Sequence, residues 1–88
     1  MALKRFVLPD CITIYEVTQI YEELVQSHET LNRMGLNGEK VEEIDTAGIQ
    51  LLLWLNQQYT MKVDPCSSLL QQKLHFLGLE RLIGKRDE

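Results

Sequence analysis

The sequence predicts a small α/β domain, in which strands alternate with helices and helical crossovers join the strands of one sheet. Three observations predict it. Short apolar runs closed by turn residues have strand length, as in residues 3–8 before Pro9-Asp10 and residues 59–63 before Asp64-Pro65. Between them, longer segments repeat apolar side chains at three- and four-residue steps, the period of a helix face. Each of those longer segments also opens on hydroxyl or carboxyl side chains suited to capping.

The first predicted strand carries Leu3, Phe6, Val7 and Leu8. Thr13-Ile14-Tyr15-Glu16 then has the spacing of a capping box, in which hydroxyl and carboxylate satisfy each other's backbone amides. Behind it Ile14, Val17, Tyr21, Leu24 and His28 predict one face of an amphipathic helix of about four turns. A second strand is predicted within residues 31–36, then a turn at Asn37-Gly38 and an acidic loop over residues 39–43. The next helix is predicted over residues 46–58, followed by a strand over residues 59–63. Ser67 or Ser68 suits the cap of a last helix carrying Leu69, Leu70, Leu74 and Leu77, with Gly78 at its C-terminal end. Leu79, Leu82 and Ile83 are expected to pack on after it, and residues 85–88 to form a frayed, charged tail.

Composition narrows the function classes. The chain has 88 residues, 44% hydrophobic and 25% charged, which suits one globular domain. A net charge of −4 and a pI near 5.1 disfavour nucleic acid and anionic membrane surfaces, since both repel an acidic domain. No apolar stretch reaches the roughly 18 residues of a membrane span. Met1-Ala2-Leu3-Lys4-Arg5 has two charges with no apolar run behind them, so no signal peptide is expected and the location is read as cytoplasmic. Cys11 and Cys66 stand alone, without CxxC spacing, and are expected to be reduced, buried thiols.

No catalytic constellation is legible, and the chain is read as a non-enzyme without cofactor or metal. His28 and His75 lie on or beside apolar helix faces without a second ligand at useful spacing. Gly35-Leu36-Asn37-Gly38 lacks the pattern and lysine of a phosphate loop. Glu39, Glu42, Glu43 and Asp45 are four carboxylates in seven residues, but not at the spacing of a calcium loop. They read as a solvated rim or as a surface facing a basic partner.

The most informative segment is Asp45-Thr46-Ala47-Gly48, where a strand-like approach breaks into a helix. Thr46 is placed at or next to the helix start, where free amides and the dipole favour negative charge. That position suits a phosphorylation switch, and equally an ordinary N-cap. Along the helix, Ile49, Leu52, Leu53 and Asn56, flanked by Leu55 and Tyr59, are predicted to face the sheet. Ala47, Gln50, Leu51, Trp54 and Gln58 fall on the other side, so Trp54 reads either as an interface anchor or as satellite core against the neighbouring helix.

Val41-Glu42-Glu43-Ile44-Asp45-Thr46-Ala47-Gly48-Ile49-Gln50-Leu51-Leu52-Leu53 resembles the central signature of the STAS domain, the module of sulfate transporters and anti-sigma factor antagonists. The resemblance extends to Leu8-Pro9-Asp10-Cys11-Ile12-Thr13-Ile14-Tyr15, to Val63-Asp64-Pro65-Cys66-Ser67 and to Leu74-His75-Phe76-Leu77-Gly78-Leu79. It covers nearly the whole chain, read as a single domain over residues 1–88. In flavour it is similar to small stand-alone STAS proteins encoded among bacterial chemotaxis genes. Met34-Gly35-Leu36-Asn37 departs from the family's Leu-Asp-Leu-Ser.

The resemblance implies a mixed, mainly parallel sheet of about four strands with helices packed on one side. It implies a phosphorylated hydroxyl at Thr46 and a regulatory protein as partner: an anti-sigma kinase-like protein, a chemotaxis component or a transporter ATPase. Asp45, Thr46, Ala47, Gly48, Gln50, Leu51 and Trp54, with Glu42 and Glu43, form the expected partner surface. The expected mechanism is partner switching. The alternative is a constitutive STAS subunit on the ATPase of a lipid-transport ABC transporter, with Thr46 merely a cap; a weaker third reading is small-ligand or nucleotide binding at the helix start. The protein is expected to be a monomer or weak homodimer.

Overall fold

The computed structural model describes residues 4–26 and 34–84. Two parallel pieces make its sheet. β1 (Lys4–Val7), β3 (Met34–Gly38) and β5 (Val63–Cys66) pair in the order β1-β3-β5, with Phe6 opposite Leu36 and Leu36 opposite Val63. Just beyond, β2 (Cys11–Ile12) pairs with β4 (Glu43–Ile44), Ile12 opposite Ile44. The α/β class is as predicted, with five short strands in place of about four and no antiparallel pair among the described residues. Parallel neighbours cannot be joined by a tight hairpin. α1 (Val17–Val25) lies between β2 and β3, and α2 (Thr46–Tyr59) between β4 and β5.

Strand alternation puts the helices on one face. Phe6, Leu8, Leu36 and Val63 point inward, and all but Phe6 are almost wholly buried. They meet Ile20 and Leu24 of α1, Ile49, Leu52 and Leu55 of α2, and Leu70 and Leu74 of α3 (Ser68–Phe76) in one core cluster. The other face carries Arg5 and the exposed Val7: Arg5 reaches across Gly35, and its Nε donates to the Asp64 carbonyl at 2.7 Å.

Several predicted boundaries move, each for a local reason. The Thr13–Glu16 box forms by half: Glu16 Oε1 accepts the Thr13 amide at 2.8 Å and its hydroxyl at 2.5 Å. It closes a turn ahead of α1, whose N-cap is Glu16, so residues before Val17 do not share the helix phase. Ile20 is therefore buried where the predicted face had Ile14, which is 63% exposed. Asn37-Gly38 is strand and not turn. Asn37 Oδ1 accepts the Glu39 amide at 3.0 Å, which starts the turn one step later.

The predicted 59–63 strand shifts as well. Tyr59 ends α2, and Thr60 takes the left-handed conformation as its C-cap. Asn56 secures that end by donating from Nδ2 to the Met61 carbonyl at 2.9 Å. β5 runs through Asp64-Pro65, which an edge strand tolerates because one side of its backbone needs no partner.

α3 is capped by Ser67, whose Oγ accepts the Leu70 amide at 3.1 Å. It ends in a Schellman motif: Gly78 has φ +74°, Leu79 donates to the Leu74 carbonyl at 2.7 Å and Gly78 to the His75 carbonyl at 3.0 Å. A short 3-10 turn, Glu80–Leu82, then buries Leu82. The predicted helical position of His28, the strand start at 31–33 and the 85–88 tail lie outside the described residues.

Candidate functional site at the start of the second helix

Asp45 builds this site. Its backbone stays extended while its amide donates to the Ile12 carbonyl at 3.3 Å, so the chain leaves β4 in register. Oδ1 accepts the Gly48 amide and Oδ2 the Ile14 amide, both at 3.0 Å. One carboxylate thus caps α2 and ties down the turn that follows β2. Gly48 first and Ile14 second, these amides hold the Asp45 carboxyl below its ordinary range. The cap is therefore Asp45, and of the two roles open to Thr46 that of N-cap is not the one the structure has. Thr46 is the first helical residue and is exposed.

Grooves open on both sides of α2. Toward α3, a groove of about 1000 Å3 is lined by Thr46, Ile49 and Leu53 of α2 and by Leu69, Lys73 and Phe76 of α3. Phe76 is 88% exposed and the adjoining Leu77 is 50% exposed, a large apolar display for so small a domain. Lys73 Nζ lies 3.5 Å from the Ile44 carbonyl, two residues before Thr46. Toward α1, a shallower groove runs past Tyr21, Leu51 and Trp54. Gln50 lines both grooves.

The predicted partner residues divide accordingly. Thr46, Gln50, Glu42 and Glu43 are exposed, and Ala47 is half-buried. Gly48 is buried and offers a partner nothing, which corrects its place in the predicted surface: a Cβ there would lie 2.1 Å from the Ile12 carbonyl oxygen. Leu51 is largely buried too, because α1 covers the side of α2 predicted to be open. Leu53, predicted to face the sheet, is only partly buried and lines the α3 groove. Asp45 spends its carboxylate on backbone amides and is structural first.

Trp54 packs as satellite core, with part of its surface left open. It is half-buried against the core, its ring 5.4 Å from Tyr21 at 60° and 5.8 Å from Tyr59 at 77°. Such tilted and edge-on pairs are favourable beyond the area they bury. Trp54→Ala should therefore lower Tm by roughly 10 °C, in contrast to a bare surface anchor. Trp54→Phe should recover part of the loss. A melting curve unchanged by Trp54→Ala would remove the packing role.

Desolvation, then the Asp10 and Glu43 carboxylates, raise the Cys11 thiol, and burial followed by Asp64 pushes Cys66 up to about 11. Both thiols are free and half-buried, less enclosed than the sequence suggests. His75, read as lacking a carboxylate partner, pairs with Glu80 on the exposed rim of α3. Among the described residues, no group of three or more His, Cys, Asp or Glu is arranged to hold a metal ion, and no helix is long and apolar enough to cross a membrane.

Sequence reasoning missed the α3 side of the site. Its signal was present in the spacing: Leu69, Lys73 and Phe76 follow i, i+4, i+7 and share one face, distinct from that of Leu70 and Leu74. Ile14 and Tyr15 were likewise assigned inward or left unplaced, yet both are exposed beside the Asp45 clamp. The chain matches no protein-family model, no curated protein and no solved structure.

Proposed function

We propose that this chain is a non-enzymatic, STAS-like binding module whose partner covers the start of α2 and the apolar groove toward α3, and whose binding is switched by phosphorylation of Thr46. The observation that carries this reading is the juxtaposition of an exposed hydroxyl, freed from capping by Asp45, with exposed apolar side chains on the same groove. The unmodified threonine is small and neutral, and a partner packs over it at little cost. A phosphate there adds about −1.5 to −2 charge beside Asp45 and the exposed Glu42 and Glu43, and its hydration opposes the dry contact. The carboxylates Glu42 and Glu43 suit a partner with a basic rim. An anti-sigma kinase-like protein or a chemotaxis component is the kind of partner the STAS resemblance implies, in a cytoplasmic setting.

Thr46→Glu should weaken partner binding by more than about 1.5 kcal/mol, and Thr46→Ala should bind at least as well as the parent. Pull-down from the source organism followed by isothermal titration with the captured protein measures both. Equal affinities for all three forms would exclude the switch and favour the constitutive subunit of a transporter ATPase.

A further inference from the structure

The groove between α2 and α3 carries one base. Among the described residues that line it, Lys73 is the single cation, set between Leu69 and Phe76 on the open face of α3. Its Nζ lies 3.5 Å from the Ile44 carbonyl, a long contact that is easily given up, and Thr46 follows two residues later. Asp45, the one acid of the lining, has both carboxylate oxygens on backbone amides. Among the described residues the ion pairs join Arg5 to Asp64 and His75 to Glu80, which leaves the Lys73 ammonium without a carboxylate partner.

A phosphate on Thr46 finds little to receive it in α2 itself. Of the first amides of the helix, Gly48 donates to Asp45 Oδ1 and Ile49 to the Asp45 carbonyl, both at 3.0 Å. The neighbouring Glu42, Glu43 and Asp45 all repel it. A doubly charged oxyanion in that setting draws the nearest ammonium, and lysine brings its charge on a flexible four-carbon stem.

Resting on the Thr46 switch put forward above, we infer that Lys73 receives the phosphate. A kinase moves the γ-phosphoryl group of ATP to Thr46 Oγ1, releasing ADP and the hydroxyl proton. The Lys73 ammonium then leaves the Ile44 carbonyl and pairs with the new oxyanion. The pair ties α3 to the start of α2 across the groove. The modified chain thus covers, with its own side chain, the surface a partner packs on in the unmodified one. Lys73 makes the switch an autoinhibitory contact as well as a change of charge.

The test needs neither kinase nor partner. The full chain is made with phosphothreonine at position 46, and phosphorus NMR follows the second ionisation of the phosphate, ordinarily near about pH 6. A paired ammonium favours the dianion, so Lys73→Gln should move that midpoint up by about half a pH unit or more. Lys73→Arg keeps the charge and should keep the midpoint low. Lys62→Gln removes the same charge beyond the far end of the 14-residue α2, about 20 Å away, and should move the midpoint by less than about 0.1. Lys73 is exposed, so its variants should melt within a few degrees of the parent. A midpoint unchanged by Lys73→Gln would overturn the proposal, as would a Lys73→Arg chain that titrates like Lys73→Gln. Equal shifts from Lys73→Gln and Lys62→Gln would overturn it too, since they mark a charge felt through solvent and not a contact. Because the phosphate's own titration is read, this contact can fail while phosphorylation still expels the partner, and the switch can fail in the binding measurement while the contact stands.

Discussion

Gly48→Ala is expected to destabilise the domain by about 3 kcal/mol or more, since among the described glycines its added Cβ meets the closest neighbour. The added Cβ would lie 2.1 Å from the Ile12 carbonyl oxygen and 2.6 Å from Ile44 Cγ1. Neither neighbour is free to give way. Ile12 and Ile44 are opposite one another in the β2–β4 pair, and the Ile12 carbonyl accepts the Asp45 amide that sets up α2. Relief therefore means moving the helix start off the strands. A domain of this size has about 4–13 kcal/mol of stability in all, so the loss is a large share. Urea unfolding measures it, and Gly78→Ala is the comparison. At Gly78 nothing lies within 4 Å of the new methyl, and only its φ of +74° opposes alanine, which should cost about 1 kcal/mol. Equal midpoints for Gly48→Ala and the parent would mean that the helix does not approach β2 so closely.

Asp45→Ala should lower Tm by roughly 10 °C, since it removes a helix cap and the link to the β2–α1 turn together. The pH dependence carries a sign that identifies the cause. The folded-state carboxyl is depressed below the unfolded one, so its contribution is fully present above the unfolded value and is lost as pH falls through the folded value. The parent should thus lose this part of its stability only below about pH 4. Asp45→Asn keeps the shape but cannot titrate, so its acid limb should be shallower than that of the parent. Glu16, depressed by its bonds to Thr13, continues to titrate in both proteins and leaves a residual slope. Superimposable acid limbs for parent and Asp45→Asn would show that the clamp does not act through the ionised carboxylate.

These two residues also show how far the local pattern reached. The break from strand to helix at Asp45-Thr46 was legible because an acid and a hydroxyl before a run of apolar residues satisfy free helix amides by local geometry alone. Of the two, Asp45 takes the role with an extended backbone and Oδ1 on the Gly48 amide, while its second oxygen holds the Ile14 amide, 31 positions earlier in the chain, and no spacing rule carries that second contact. Gly48 was read as surface for the same reason. Its small size marks a close approach, but the Ile12 carbonyl it approaches belongs to another strand.

What the sequence determined by itself follows from short-range physics. Periodicity and turn chemistry were enough for the α/β class, the extent of α2 to within a residue, a serine cap at 67 or 68 and the Gly78 helix end, because each depends on neighbours a few positions away. The tertiary structure alone decided which sides of the helices stay open. α2 is apolar nearly all round, so its own period leaves its exposed strip undetermined, and the choice falls to α1 and α3. α1 covers Leu51 and half of Trp54, whereas α3 turns Leu70 and Leu74 to the core and leaves Phe76 beside Thr46. Burial is settled by what packs against a face, and that depends on contacts between residues far apart in the chain.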